Sequence, residues 1–191
     1  MDEQEHAGGD VSTLWSIGHS TRPLDELVAM LREAGVVRLA DVRRFPGSRR
    51  NPQYSAESLA VSMPGAGIEY VPMPELGGRR PPRPDSPHTA WRNSSFRGYA
   101  DYMDTQGFAR GRERLTALAN EKRTAVMCAE APWWRCHRSL ISDDFKARGW
   151  RVIHLMSPGR SQDHPWTGAA RLVDGKLDYS SLADDQPDLF Q

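Results

Sequence analysis

Short apolar runs alternate with longer amphipathic stretches along this chain. Leu14-Trp-Ser-Ile17 is the first run, ended by Gly18-His19-Ser20. Behind it Leu24, Leu27, Val28 and Leu31 fall at i, i+3, i+4 and i+7, the stripe that a helix turns toward a core. Ser20 or Thr21 is expected to cap that helix, with Pro23 in its first turn, Asp25 and Glu26 where the helix dipole favours acids, and Gly35 past its end. Val36–Ala40 reads as a second strand, Ser55–Met63 as a modest helix, and Ile68–Val71 as a third strand. A helix then carries Phe96, Tyr99 and Met103 inward until Gly107 breaks it, and a further helical piece over 109–120 leads into the apolar run Thr124–Cys128. Ser139–Arg148 reads as a helix stopped by Gly149, and Arg151–Met156 as the last core strand. In Arg171–Tyr179 the pair Asp174-Gly175 separates two short alternating runs, a hairpin signal.

Strands alternating with helices argue for parallel pairing through right-handed crossovers. The expected architecture is a single α/β domain over residues 12–180: a mostly parallel sheet of about five strands, flanking helices and a C-terminal hairpin. Residues 1–11 read as a disordered lead and 181–191 as a flexible acidic tail. The proline- and arginine-rich stretch from Pro72 to Asn93, with Gly77-Gly78 inside it, has the length of a lid, a binding loop or a partly disordered segment.

At 191 residues the chain suits one well-packed domain, and 38% hydrophobic with 26% charged residues describes a soluble globular protein. Its 25 basic and 25 acidic side chains cancel, which excludes a global field that draws nucleic acid or membrane and leaves local asymmetry open. The basic residues are 22 Arg and 3 Lys. That bias suits recognition of phosphate or carboxylate, and a GC-rich coding bias would produce it too. There is no apolar run long enough to span a bilayer, and the polar, acidic start is unlike a signal peptide. Two cysteines with seven residues between them make no secreted disulfide framework. A cytoplasmic, reducing setting with two free thiols is expected, and no membrane partner.

His19, Asp41 with Arg43, and Cys128 with Glu130 each follow an expected strand directly. Parallel strands would carry all of them to one edge of the sheet, the usual site position in an open α/β fold. Cys128 is either a nucleophile, with His137 or His19 as base and Glu130 as acid or orienting group, or a small buried residue ending a strand. Cys136 sits near a helix start, where an exposed thiol would ionise more easily. His137 faces the same choice between a site and a hydrogen-bonded core position. No metal is expected, because Cys128, Cys136 and His137 lack an obvious fourth ligand and the usual C-x2-C spacing, and no cofactor is assigned. Cys128 to Arg135 is Cys-x6-Arg, one residue longer than a phosphatase cradle. Arg43, Arg44, Arg49 and Arg50 around Phe45 and Tyr54 form either a phosphate clamp or a solvated basic loop. Trp133-Trp134 either stack on a base or wall the core.

Several of these segments form a recognisable set: Ser16-Ile-Gly-His-Ser20, Asp41-Val-Arg43 followed by Pro46 and Ser48, Leu76-Gly-Gly78, Tyr99-Ala-Asp-Tyr-Met103, and Cys128-Ala-Glu-x5-Cys-His-Arg138. Over about residues 14–156 the chain resembles the bacterial domain-of-unknown-function family 488 (DUF488). The resemblance implies one α/β domain with these motifs near one another, and it supplies no activity. Catalytic roles are expected for Cys128, Glu130, His137 and Cys136. Substrate binding is expected from His19, Ser20, Asp41, Arg43, Ser48 and Arg138.

The tail segment Gln186-Pro-Asp188-Leu189-Phe190 resembles the peptide by which bacterial polymerases and repair proteins dock on the DNA sliding clamp. In that mode Leu189 and Phe190 enter an apolar pocket while Gln186 bonds at its rim, and Pro187 departs from the preferred leucine. Alternatively Leu189 and Phe190 fold back onto the domain. The leading expectation is a DNA- or nucleotide-processing hydrolase or transferase recruited to the clamp. The alternative is a non-catalytic module that binds nucleic acid or a nucleotide.

Overall fold

A computed structural model describes residues 11–47 and 50–181. Ser48 and the tail positions Gln186, Asp188, Leu189 and Phe190 lie outside the described residues, as does nearly all of the expected lead. Five parallel strands form the body of one sheet: β1 (Thr13–Gly18), β2 (Arg38–Asp41), β3 (Glu69–Pro72), β4 (Thr124–Cys128) and β5 (Arg151–Ser157). A sixth, β6 (Arg160–Asp163), pairs antiparallel with β5, giving the order β3-β2-β4-β1-β5-β6. The helices are α1 (Leu24–Glu33), α2 (Ala56–Gly65), α3 (Ser94–Met103), α4 (Gln106–Glu121) and α5 (Arg138–Ala147). None of them is long and apolar enough to cross a membrane.

The period of two along β4 explains why helices cover both faces. Ala125 and Met127 join one apolar cluster with Leu27 and Leu31 of α1 and Leu59 and Met63 of α2. Val126 and Cys128 point the other way, into a cluster with Tyr99 of α3, Phe108 and Leu115 of α4, and Leu140, Ile141 and Phe145 of α5. Every residue of β4 is buried, which is why this strand reads as a continuous apolar run.

From β2 the chain runs outward to β3, and from the adjacent β4 it runs the opposite way, through α5, to β5. The winding therefore reverses between β2 and β4. A crevice opens outside the C-terminal ends of strands at such a reversal.

Three expectations need correcting. Pro23, not Ser20 or Thr21, precedes α1, and no side chain caps it. Ser20 is held at φ 49° in the β1 turn, its N–H donating to Ala129 O at 2.8 Å. Gly107 does not break a helix: α3 ends at Met103, and Thr105 caps α4 by accepting from Phe108 N, so Gly107 lies in the first turn of α4. The edge strand β6 was not expected at all, because Arg-Ser-Gln-Asp is exposed throughout and carries no apolar period. The hairpin of β7 (Arg171–Val173) and β8 (Lys176–Asp178) is present, with Asp174 and Gly175 at φ 50° and 74° as a type I′ turn demands.

Candidate active site

At the C-terminal end of β2 stands a buried ion pair. Asp41 Oδ1 accepts from Arg43 N and Nε at 3.1 and 2.8 Å, and Asp41 Oδ2 accepts from Arg43 Nη2 at 2.6 Å and from the Tyr70 hydroxyl at 2.7 Å. Arg43 Nη2 also donates to Tyr54 O at 2.8 Å, and Nη1 lies 3.1 Å from His19 Nε2. A guanidinium has no lone pair to offer, so His19 Nε2 accepts and Nδ1–H donates to Ser20 O at 2.8 Å. His19 is thus neutral; burial above all, with Arg43 beside it, pushes its pKa down to about 4. The imidazole stacks on Tyr54 at 4.1 Å. His19 and Asp41 therefore aim Arg43, and Arg43 alone of the three reaches the adjoining cleft.

Across from it, β4 ends at Cys128, and a loop with one 3-10 turn (Trp133–Arg135) leads to Cys136, His137 and α5. His137 Nδ1 lies 3.9 Å from Cys128 Sγ and 3.7 Å from Cys136 Sγ. Its Nε2 is 3.1 Å from Val42 O. A carbonyl only accepts, so Nε2 carries the proton and the Nδ1 lone pair faces both sulfurs. Val42 lies between Asp41 and Arg43, so the segment that holds the arginine also orients the imidazole.

The two thiols act on one another. Burial opposes ionisation of Cys136, yet hydrogen bonding from Cys128 and the charge of Arg138 outweigh it and hold the Cys136 thiol well below its ordinary range. Cys128 is pushed well above that range, by sharing a hydrogen bond with Cys136 and by burial.

Arg138 is not at the surface of this site. Fully buried, it donates from Nη1 to Ser16 Oγ at 2.9 Å and from Nη2 to Glu130 O, tying the loop to β1. It anchors the loop and does not line the cleft, contrary to the substrate-contacting role expected of it. Ser20 likewise braces the loop through its backbone.

The cleft outside the sulfurs has a volume of about 320 Å³. Cys128, Cys136 and His137 form its floor, and Arg43, Arg44, Arg79 and Arg135 its basic wall. Glu130 stands exposed at the rim, and Phe45 and Phe96 supply aromatic surface. Arg44 lies 5.3 Å from the Phe45 ring centre. Arg79 and Ser95 were missed as cleft residues; Phe96, expected to face inward on its helical period, does pack against the core, on Trp91 at 4.9 Å, and also borders the cleft. The one signal for Arg79 was the Leu76-Gly-Gly78 motif just before it. Of the two tryptophans, Trp133 packs inside, stacked on His154 at 4.6 Å, and Trp134 is exposed.

Gly78 explains part of that motif. A Cβ there would stand 2.8 Å from His137 Nδ1, so only glycine lets the loop press against the imidazole. Gly78→Ala is expected to displace the ring from the sulfurs and cost about 1–3 kcal/mol. A lowered urea midpoint with a changed thiol alkylation rate is the expected result; unchanged values for both would mean that the ring is not held by this contact.

The chain matches the family model described as Domain of unknown function DUF488 over residues 23–144, which takes in Asp41–Arg43, Leu76–Gly78 and Cys128–Arg138. No curated protein and no solved structure matches it. With more than half of its length matched, and with the matched motifs gathered around one cleft at the end of the sheet, this chain belongs to the DUF488 family.

Proposed function

We propose that this protein is a hydrolase or transferase that acts on phosphate-bearing substrates of the nucleotide or DNA class, with Cys128 as nucleophile. One observation carries the reading: a thiol–imidazole cluster of fixed tautomer forms the floor of a cleft walled by four arginines. Arginine forks match phosphate oxygens in bidentate geometry, and low-dielectric walls strengthen that attraction. Phe45 and Phe96 give a base a face to stack on.

In the first step Cys128 Sγ attacks phosphorus and its proton passes to His137 Nδ1, while the bond from phosphorus to the leaving oxygen breaks and that oxygen takes the proton from His137. In the second, water or an acceptor hydroxyl displaces the sulfur. Glu130 takes the proton of the attacking group and returns it to the thiolate. The arginines hold the three equatorial oxygens throughout.

Screening nucleotides and DNA ends for phosphate release or transfer tests this reading. Cys128→Ser, with its fold verified by unfolding midpoint, is expected to lose turnover by about 10³-fold or more while still binding substrate. Full turnover in that variant would remove the nucleophile. Tight binding without turnover in either protein would favour a non-catalytic nucleotide-binding module.

A further inference from the structure

Cys128 Sγ, Cys136 Sγ and His137 Nδ1 come from two ends of one loop, yet all three atoms lie within 4.8 Å of one another. Spacing along the chain argued against a metal, because the cysteines are not in a C-x2-C pair. Spacing between donor atoms is the quantity that matters to an ion. A tetrahedral zinc with Zn–S of about 2.3 Å and Zn–N of about 2.0 Å separates sulfur from nitrogen by about 3.5 Å. The two sulfur–nitrogen distances here are 3.9 and 3.7 Å. Two edges of a coordination tetrahedron are therefore nearly formed by the protein alone, and the third, between the sulfurs, is no longer than 4.8 Å.

The surroundings of the imidazole point the same way. A ligating histidine donates its second N–H to a carbonyl or carboxylate, which fixes the tautomer and orients the ring. His137 already does this through Nε2 to Val42 O at 3.1 Å, leaving Nδ1 as the free donor on the sulfur side. Two thiolates and a neutral imidazole give a divalent ion a neutral complex, which the neighbouring arginines repel little. Those arginines also favour an anion at any fourth position. The fourth corner faces the cleft, since all three residues line it.

From this geometry we infer that Cys128, Cys136 and His137 form a binding site for a soft divalent cation of the zinc class, open on its fourth side. This goes beyond the proposed thiol chemistry: an ion on both sulfurs masks the nucleophile, so the metal-loaded chain and the thiol-active chain are alternative states of one site.

Reduced full-length protein titrated with Co²⁺ alone tests the site without any substrate. One equivalent is expected to give thiolate-to-cobalt charge-transfer absorption and the visible bands of a four-coordinate ion, and to protect both thiols from a disulfide reagent; Zn²⁺ should then bleach the colour. His137→Gln keeps both sulfurs and should weaken Co²⁺ by more than the roughly 10- to 100-fold that an outer-shell loss costs. Thiols equally reactive with and without one equivalent of metal in the wild-type protein would overturn the site, as would undiminished affinity in His137→Gln. The two readings fail separately. Turnover by a chain that takes up no Co²⁺ removes only the metal site, and a Co²⁺-binding chain that stays inert after chelation removes only the thiol enzyme.

Discussion

Gly18→Ala is expected to destabilise the protein by about 4 kcal/mol, a large fraction of what a domain of this size has to lose. A Cβ on Gly18 would stand 1.9 Å from Glu130 O, 2.7 Å from Glu130 C and 2.8 Å from Ala131 Cα, all backbone atoms that cannot rotate away. The loop from Cys128 to Cys136 must then lift off β1. Three contacts suffer together: Arg138 Nη2 to Glu130 O, His19 N to Cys128 O at 2.9 Å, and Ser20 N to Ala129 O at 2.8 Å. Arg138 is the costly one, because a fully buried guanidinium that loses acceptors keeps its desolvation penalty. Urea unfolding of purified variant and wild type measures the effect. A midpoint unchanged within error would mean that the loop has room to retreat and that Gly18 is not what joins it to β1.

This contact also shows where sequence reasoning runs out. The strands were legible because β1, β2, β4 and β5 carry apolar residues at the spacing that a sheet covered on both faces requires. The gathering of Arg43 and Cys128 at one edge followed from parallel pairing alone, whereas the place of His137 depends on the fold of the loop after β4. What periodicity does not encode is which polar groups satisfy each other. His19, Asp41 and Arg43 all read as substrate contacts, whereas two of them are spent holding the third. Arg138 read as a substrate contact from its place at the end of the Cys128–Arg138 motif, but one step on from His137 along a helix start turns a side chain by about 100°, here into the protein. Arg79 enters the cleft through the course of a long loop, which has no period to read, and Phe96 from the first turn of α3. The edge strand β6 was invisible for the same reason that it is soluble: its side chains are all exposed.

A second large effect is expected with acid. His154 is buried on β5, its Nε2 2.9 Å from His164 Nδ1, and His164 Nε2 is 3.0 Å from Asp143 Oδ1. Asp143 further accepts from Thr167 N at 3.1 Å, Thr167 Oγ1 at 2.6 Å and the Tyr179 hydroxyl at 2.9 Å. Running from that carboxylate, each imidazole donates from Nε2 and His164 accepts at Nδ1, so His154 sits in a chain built for neutral rings. Burial first, then His164 and Arg138, push the pKa of His154 down to about 2, while that of His19 falls to about 4. Unfolded, both rings take up protons below about pH 6.5 that the folded chain refuses. The unfolded state therefore binds more protons, and stability falls as pH drops, through about pH 4 for His19 and further for His154. Each contributes about 1.4 kcal/mol per pH unit, so moving from pH 7 to pH 5 is expected to cost about 4 kcal/mol in total. Most carboxylates titrate below that window and do not mask the effect. Both rings bear on the site: His19 is an acceptor for Arg43, and His154 is the surface on which Trp133 of the cysteine loop stacks. Urea unfolding at the two pH values should therefore show a lower midpoint at pH 5 than at pH 7. Equal stability at both pH values would mean that these rings are charged in the folded chain, and the assigned donors and acceptors around Arg43 and His164 would have to be reversed.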